Sequence, residues 1–310
     1  MGVSSTITVT QTLPRDATAL SSRGMAWSAV QSLAWREWAR FIRQPNRVVG
    51  AIGQPILFWI LFGAGLGPSF RLATTQGEIS TLNPPTNAIP ALSYAEYYFP
   101  GTLALILLFT AIFATISIIE DRREGFLQGV LVSPAPRWAM VLGKLLGGTA
   151  IAVAQAGLFV LLAAVAAWLN WPGVPRLDLL TMTAIFAVLA ILGLALTALG
   201  FSLAWQIDST QGYHAVMSLV LLPMWLLSGA FFPPANNWIG WVAAFNPLTY
   251  GVALLRRVLY LTADSATQAA ALPAELPSWG MSVAVTGGFL AGTLALAWWS
   301  AGRRTAGDLL

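Results

Sequence analysis

Long runs of apolar residues alternate with short polar segments along most of the chain. Each of six runs comes close to the ~20 residues that an α-helix needs to cross the hydrocarbon core of a bilayer. We predict membrane-spanning helices at about the following residues: 48–67, 100–119, 139–168, 179–205, 213–232 and 280–300. The pattern therefore predicts an all-α polytopic membrane protein.

The segment before the first run is amphipathic. When residues 25–47 are placed on a helix with ~100° per residue, four arginines form one narrow stripe opposite an aromatic and aliphatic face. The stripe consists of Arg36, Arg40, Arg43 and Arg47. A basic face backed by an apolar face is typical of a helix that lies in the membrane interface. The alternative is an ordinary surface helix on a soluble core. Residues 1–24 are predicted to form a flexible cytoplasmic tail.

A polar segment at residues 120–144 separates the second and third runs. It begins with five consecutive charged residues, in a chain with 9% charged residues: Glu120, Asp121, Arg122, Arg123 and Glu124. The apolar sequence FLQGVLV follows and stops at Ser133 and Pro134, because a residue before proline avoids the α region. The segment is long enough for a short helix outside the membrane where a soluble partner could dock. A solvated loop that only maintains topology is the alternative, but residues 206–212 reverse the chain with far fewer residues.

Residues 233–279 contain too many proline, asparagine and glycine residues to cross the bilayer, yet they are too apolar for an exposed loop. We predict two short re-entrant helices in the outer leaflet, because irregular backbone at that depth must be covered by protein. Ten lysines and arginines flank the spans on one side and four on the other, which places the basic side and both termini in the cytoplasm.

Composition agrees with a membrane location, since 57% of the residues are hydrophobic and the mean hydropathy is +0.71. The absence of cysteine excludes disulfides, thiol catalysis and cysteine-ligated metals, and a single histidine argues against histidine chemistry. We therefore expect no catalytic residue and no metal site. The net charge of +4 is explained by basic residues at the membrane edges.

The sequence contains no phosphate-binding loop, because Gly143-Lys144 is followed by Leu145 and lacks the upstream glycine. No Asp, Glu, Lys or Arg lies near the middle of a predicted span, which argues against an ion-coupled carrier. The pattern favours a pathway for amphipathic or lipid-like cargo that is powered from outside the membrane. Gln155, in the middle of the third run, is the best candidate for a path-lining residue. Interhelical hydrogen bonding is its alternative role.

Four stretches resemble the membrane subunits of ABC-2-type ATP-binding-cassette exporters, which include drug-resistance permeases and nodulation-type lipo-oligosaccharide exporters. The resemblance covers about residues 30–305. The stretches are Gln54-Pro55 with the following ILFWILFG, YYFPG at 97–101, REGFLQGVLVSPAPRWAMVLGKLLGG at 123–148, and SGAFFPPANNWIGWVAAFNPLTYGVALLR at 228–256.

The resemblance implies six helices, an amphipathic connecting helix, a coupling helix between the second and third spans, and re-entrant helices before the sixth. Carried over by position, the coupling region spans residues 120–132 with its exit turn. The ATPase contact is then expected at Glu120, Asp121, Arg122, Arg123, Glu124, Gly125, Phe126, Leu127, Ser133, Pro134 and Arg137. The matching motif of the outer segment consists of Asn246, Pro247, Thr249 and Tyr250.

The resemblance also implies partners: two cytoplasmic ATPase subunits, which would bind ATP and Mg, and a second permease that is either identical or related. We expect no cofactor in this chain and no nucleic-acid partner. The expected function is export of a hydrophobic or amphipathic drug or lipid across the cell membrane. Polysaccharide or lipo-oligosaccharide export is the alternative within the family. An ATP-independent transporter or channel and a non-transporting scaffold are the alternatives outside it.

Overall fold

The computed structural model describes residues 15–66, 93–171, 173–232, 238–273 and 275–303. Within these ranges the chain forms eleven α-helices and one π-helical turn, and no strand is present. The helices are α1 Arg15–Ile42, α2 Pro45–Leu66, α3 Tyr94–Arg123, α4 Phe126–Val132, α5 Arg137–Trp168, α6 Leu179–Gln206, α7 Thr210–Trp225, α8 Trp238–Phe245, α9 Pro247–Leu259, α10 Ser265–Ala271 and α11 Trp279–Arg303. The π-helical turn, Leu226–Ala230, follows α7 directly.

Five of the described helical segments are long and apolar enough to cross a membrane. They are α3, α5, α6, α11, and α7 together with the π-helical turn. Helix α2 coincides with the first predicted span and carries the apolar stretch Val48–Gly63. Helices α8 and α9 would form one further apolar segment, but they are bent by 86° relative to each other. The predicted all-α polytopic membrane fold is therefore confirmed.

Helix α3 lies at the centre of the bundle. Of its most apolar stretch, 83% is buried, against 22% for the corresponding stretch of α11. It packs against α2, α5, α6 and α7. This position agrees with its sequence, because a helix that is apolar on all sides has no polar face to turn outward. Both ends of α3 are consequently held by side chains from several other helices.

The N-terminal helix differs from the predicted bounds. It begins at Arg15, so residues 15–24 of the predicted tail are helical, and residues 1–14 of that tail lie outside the described part of the chain. It ends at Ile42, because Pro45 restricts the backbone of the preceding residue and starts α2. The single predicted helix over 25–47 is thus two helices that are joined by a short turn.

Helix α1 packs closely along the first part of α5. A Cβ atom added at Gly143 would lie 2.8 Å from Leu33 Cβ, and one added at Gly147 would lie 2.8 Å from Glu37 Cβ. Glycine at these two positions of α5 therefore permits a helix contact that any larger residue would block. Ala26, Val30, Leu33 and Glu37 form the buried face of α1.

The polar segment after α3 contains the predicted short helix. Glu124 caps α3, and Gly125 takes a left-handed conformation with φ of 75°, which glycine adopts without strain. Helix α4 then comprises the predicted apolar sequence and ends at Ser133, whose hydroxyl donates to the carbonyl of Val130 at 2.7 Å. We call residues 120–134 the elbow.

Between the π-helical turn and α11 the sequence predicts two short helices, and the described residues of this segment, 238–273 and 275–278, form three. Helices α8 and α9 form the predicted pair, and α10 follows them. Asp264 begins α10, because its carboxylate accepts a hydrogen bond from the backbone nitrogen of Thr267 at 3.2 Å.

Candidate functional site

Asp121, near the C-terminal end of α3, is completely buried. The guanidinium of Arg36 donates to both of its carboxylate oxygens, at 2.9 and 2.7 Å, and Arg40 donates to one of them at 2.8 Å. The ammonium group of Lys144 on α5 also donates to Asp121. A single carboxylate thereby connects α1, α3 and α5.

Glu37 is the second buried carboxylate of the site, and its residue is 4% exposed. It accepts a hydrogen bond from Lys144, whose ammonium group also lies 3.3 Å from the hydroxyl of Ser117. A buried charge is tolerated where oppositely charged and hydrogen-bonding groups surround it. We call Arg36, Glu37, Arg40, Asp121 and Lys144 the ion cluster.

The ion cluster includes two arginines of the predicted interfacial stripe. Arg36 and Arg40 border the buried face of α1 and point toward α3 and the elbow, and the interfacial role of the stripe stays a prediction. The guanidinium of Arg36 lies 3.7 Å from the ring centroid of Phe126. Arg40 reaches Glu120 at 3.2 Å and Glu124 at 3.3 Å.

Arg36 and Arg43 differ in their surroundings. Burial lowers the pKa of the Arg36 guanidinium, but the hydrogen bonds and the negative charge of Asp121 outweigh it, so the pKa is raised. Arg43 lies in the turn between α1 and α2 and is exposed. Arg47 belongs to α2, and its side chain is not among the described ones.

The predicted partner-contact residues divide into an inward and an outward set. Arg122 points inward, where it donates to the carbonyl of Trp205 at 2.9 Å and to Asp208 at 2.6 Å in the turn between α6 and α7. Leu127 is buried in the core. The outward set is exposed and consists of Arg123, Glu124, Pro134 and Arg137. Arg122 and Leu127 therefore hold the elbow against the bundle, and the contact of the outward set with an ATPase stays a prediction.

The exposed surface of α4 includes residues that the sequence did not single out. Gln128 and Gly129 are exposed, and Val132 is 85% exposed. These positions therefore add an apolar side chain to the accessible surface of the elbow.

At the opposite end of α3 a buried arginine contacts backbone carbonyls. Arg256 of α9 is 2% exposed and donates to the carbonyls of Tyr97 and Gly229, each at 3.2 Å. Its guanidinium lies 4.0 Å from the ring centroid of Tyr97, whose hydroxyl donates to the same Gly229 carbonyl at 2.9 Å. Gly229 has φ of 75° within the π-helical turn. Arg256 thus connects α9, α3 and the distorted end of α7.

The outer motif shapes the bend between α8 and α9. The side-chain oxygen of Asn246 accepts from the backbone nitrogen of Leu248 at 3.0 Å, and Pro247 starts α9. Thr249 donates to the carbonyl of Ala243 at 2.7 Å, and Tyr250 to that of Ala244 at 2.8 Å. All four residues therefore define the connection of these two helices.

Gln155 lies between α5 and α3, is 4% exposed, and accepts a hydrogen bond from the hydroxyl of Thr110. The structure places it in an inter-helix contact, the alternative that the sequence left open, and a path-lining role stays a prediction. Among the described residues, no group of three or more His, Cys, Asp or Glu side chains could hold a metal ion.

Sequence reasoning missed Glu37, Lys144 and Arg256 as site residues. Lys144 carried a usable signal, because it is an ionisable residue inside a predicted span, and such residues are costly unless paired. Glu37 shares a helix face with Val30 and Leu33, which places a carboxylate on an apolar face. Arg256 interrupts an apolar segment in the same way.

The polytopic helical bundle, with a short exposed helix outside the spans, agrees with the architecture expected for the membrane subunit of a transporter. The family model described as ABC-2 type transporter matches residues 28–260. The chain belongs to this family, and it is therefore the membrane subunit of an ABC transporter. Membership implies that it works with ABC ATPase subunits.

The chain is similar to proteins that carry different names. "Nodulation protein J" of Rhizobium leguminosarum bv. viciae is 25% identical over 245 residues, which cover 76% of this chain and 83% of that protein. "Nodulation protein J" of Bradyrhizobium diazoefficiens is 26% identical over 255 residues, 78% of this chain and 84% of that protein. "Probable multidrug ABC transporter permease YbhR" of Escherichia coli strain K12 is 23% identical over 172 residues, 54% and 45% of the two chains.

Proposed function

We propose that this chain is the permease of an exporter and that cytoplasmic ATPase subunits drive it through the elbow. The ion cluster is the observation that carries the proposal, because it connects the base of the elbow to α1 and α5. In this proposal two ATPase subunits bind ATP and Mg, and a second permease, identical or related, completes the path.

The contacts of the elbow support a lever-like motion. Asp121 joins the last turn of α3 to α1 and α5, and Arg122 joins it to the turn between α6 and α7. Breaking a buried ion pair leaves an uncompensated charge, at a cost of about 3–5 kcal/mol. Sliding of α1 against α3 is therefore unfavourable, and a push on α4 displaces α1, α3 and α5 together.

The proposed orientation places the elbow and both termini in the cytoplasm of a cell-membrane protein. The distribution of lysine and arginine supports it, since the six-span topology places the following residues on the same side of the membrane: Arg122, Arg123, Arg137, Lys144 and Arg303. Accessibility of a single cysteine introduced at Val132, probed in intact cells and in inverted vesicles, tests this orientation.

The proposed cargo is hydrophobic or amphipathic, such as a drug or a lipid. In the described spans, polar contacts far from the helix ends are made by neutral groups, as in the pair Thr110–Gln155. The similarity to a protein named as a multidrug permease supports this class.

Lipo-oligosaccharide export is the second candidate for the cargo. The extent of similarity supports this candidate. The match to a nodulation protein covers 76% of this chain, and the match to the multidrug permease covers 54%. Stimulation of ATP hydrolysis in the reconstituted complex by a lipophilic drug, a phospholipid or a lipo-oligosaccharide distinguishes the candidates.

The docking role of the elbow is tested with Gly129→Arg and Val132→Arg. Both positions are exposed on α4, and neither side chain takes part in the ion cluster, so the fold should be retained. We expect that either change reduces co-purification of the ATPase at least about tenfold, which corresponds to ~1.4 kcal/mol of binding free energy.

Gln211→Arg is the matched control, because it adds the same charge at an exposed position in the first turn of α7. It should leave ATPase association unchanged. Full association of the Gly129 and Val132 variants, or equal loss in the Gln211 variant, would contradict the docking role.

A further inference from the structure

An open groove lies beside the turn between α1 and α2. Its volume is about 430 Å³, which is within the range of ~300–1,000 Å³ that is common for sites of small ligands. It is lined by Arg36, Ala39, Arg40, Arg43, Gln44 and Glu124. The proposed drive through the elbow does not require this groove to bind a small ligand.

The groove lies where the chain enters the membrane. The turn at Arg43 and Gln44 leads directly into α2, whose apolar stretch begins at Val48. Ile42 is 58% exposed and Val49 is 68% exposed, so apolar side chains flank the turn on both sides. This combination of a polar groove and exposed apolar neighbours is typical of the depth of lipid headgroups.

The groove offers one cation that is not engaged by a carboxylate. Arg36 and Arg40 are paired with Asp121, and Arg40 also contacts Glu124. Arg43 is exposed, and within the described part of the chain its guanidinium makes no ion pair. A guanidinium in this situation binds a phosphate oxygen with charge-assisted hydrogen bonds.

The groove also offers acceptors. The side-chain oxygen of Gln44 is buried and has no hydrogen-bond partner among the described residues. The side chain of Glu124 is 59% exposed, and its carboxylate accepts a hydrogen bond from Arg40 at 3.3 Å. A buried acceptor without a donor is costly, so a ligand that donates hydrogen bonds would be stabilised here.

We propose that this groove binds the headgroup of a phospholipid that carries both a phosphate and a primary ammonium, as phosphatidylethanolamine does. The phosphate pairs with Arg43, and the ammonium donates to Gln44 and Glu124. Because cations and carboxylates are both present at the groove, a zwitterionic headgroup complements it better than a purely anionic one. A choline headgroup has no N–H and cannot satisfy the acceptors.

The test uses the complete chain in nanodiscs of equal parts phosphatidylethanolamine, phosphatidylcholine and phosphatidylglycerol. The lipids that remain bound are identified by native mass spectrometry after release from the nanodisc. We expect retention of the ethanolamine lipid over the other two by at least about fivefold, because the phosphate contact with Arg43 is common to all three lipids and only the ethanolamine lipid has an ammonium group that donates to Gln44 and Glu124.

Two variants separate the two halves of the site. Arg43→Gln should reduce retention of the ethanolamine lipid about fivefold. Gln44→Leu should abolish the preference for ethanolamine over choline while lipid phosphate still binds. Arg43→Lys keeps the positive charge and should retain an intermediate amount of the ethanolamine lipid. This variant takes the place of Arg43→Gln in the test if Arg43→Gln does not purify.

Arg303→Gln is the control, because it removes one positive charge at the end of α11, outside the groove. It should leave lipid retention unchanged, and an equal loss there would overturn the proposal in favour of general charge. Equal retention of choline lipid or preferential retention of the glycerol lipid would also overturn it. So would displacement by millimolar inorganic phosphate, or loss of the lipid when the ATPase binds.

Discussion

The two ends of α3 are held by different chemistry. At the C-terminal end Asp121 is surrounded by cations from α1 and α5, and opposite charges are in direct contact. At the N-terminal end Arg256 contacts the carbonyls of Tyr97 and Gly229 and the face of an aromatic ring. Separation at the first end would leave several buried charges of both signs uncompensated, whereas at the second end the partners of the single guanidinium are neutral carbonyls.

This difference indicates which end moves during transport. The C-terminal end should behave as a fixed joint that passes on the displacement of the elbow. The N-terminal end contacts the segment after α7, where Gly229 has a left-handed conformation and interrupts the helix. We therefore expect the larger rearrangement at the contact between α9, α3 and the end of α7.

The largest effect is expected for Lys144→Met. The change leaves Glu37 buried with only a 3.6 Å contact to Arg36, and it removes one partner of Asp121. Loss of one member of a buried ion pair costs about 3–5 kcal/mol. Unfolding of the purified protein, followed by tryptophan fluorescence in mixed micelles, measures the change in the free energy of unfolding.

The double variant Lys144→Met with Glu37→Met is the control for this change. It removes both charges and replaces them with apolar side chains, which is often neutral for stability. The double variant should recover at least half of the lost free energy of unfolding. If it is less stable than the single variant, the burial of Glu37 is not the source of the effect.

A smaller loss of stability is expected for Arg256→Met. Its carbonyl partners are neutral, and leaving buried acceptors without a donor costs about 1–3 kcal/mol. The same unfolding measurement applies, with Arg257→Gln as a control, because Arg257 is partly buried and donates to the carbonyls of Leu276 and Pro277 away from α3. A loss as large as that of Lys144→Met would remove the distinction between the two ends.

The smallest effect is expected for Asp208→Asn, which removes the partner of Arg122 in the turn between α6 and α7. The two groups are 2.6 Å apart, but the side chain of Asp208 is 77% exposed, and exposed ion pairs contribute at most about 1 kcal/mol. Arg122 keeps its hydrogen bond to the carbonyl of Trp205. A change well above that value in unfolding experiments would mean that this turn also belongs to the fixed joint.

The parts of the fold that depend on local sequence could be predicted. Hydrophobic runs gave the long helices, and Ser133-Pro134 gave the end of α4, because proline acts on its immediate neighbour. Pro45 acts in the same way, but the arginine stripe led to one helix where the structure has two. The π-helical turn at Gly229 left no pattern in the sequence.

The ion cluster could not be assembled from local patterns. Lys144 lies 107 residues from Glu37 and 23 from Asp121 along the chain, and these separations contain no signal of contact. The sequence showed that Arg36 and Arg40 belong to one stripe of α1, but it did not show which residues of other helices lie beside that stripe. Only the packing of α1 on α5 determines which neighbour those side chains meet.

Gly143 and Gly147 allow the backbone of α1 to approach α5 without side chains between them. Two helices in such contact have little freedom to shift relative to each other while the rest of the molecule changes shape. A spectroscopic probe on the exposed position of Trp35 in α1 would therefore report the position of α5, although it is attached outside the spans. Distances between that probe and a second probe at the C-terminal end of α11 would change during the transport cycle, and neither probe would lie inside the bilayer.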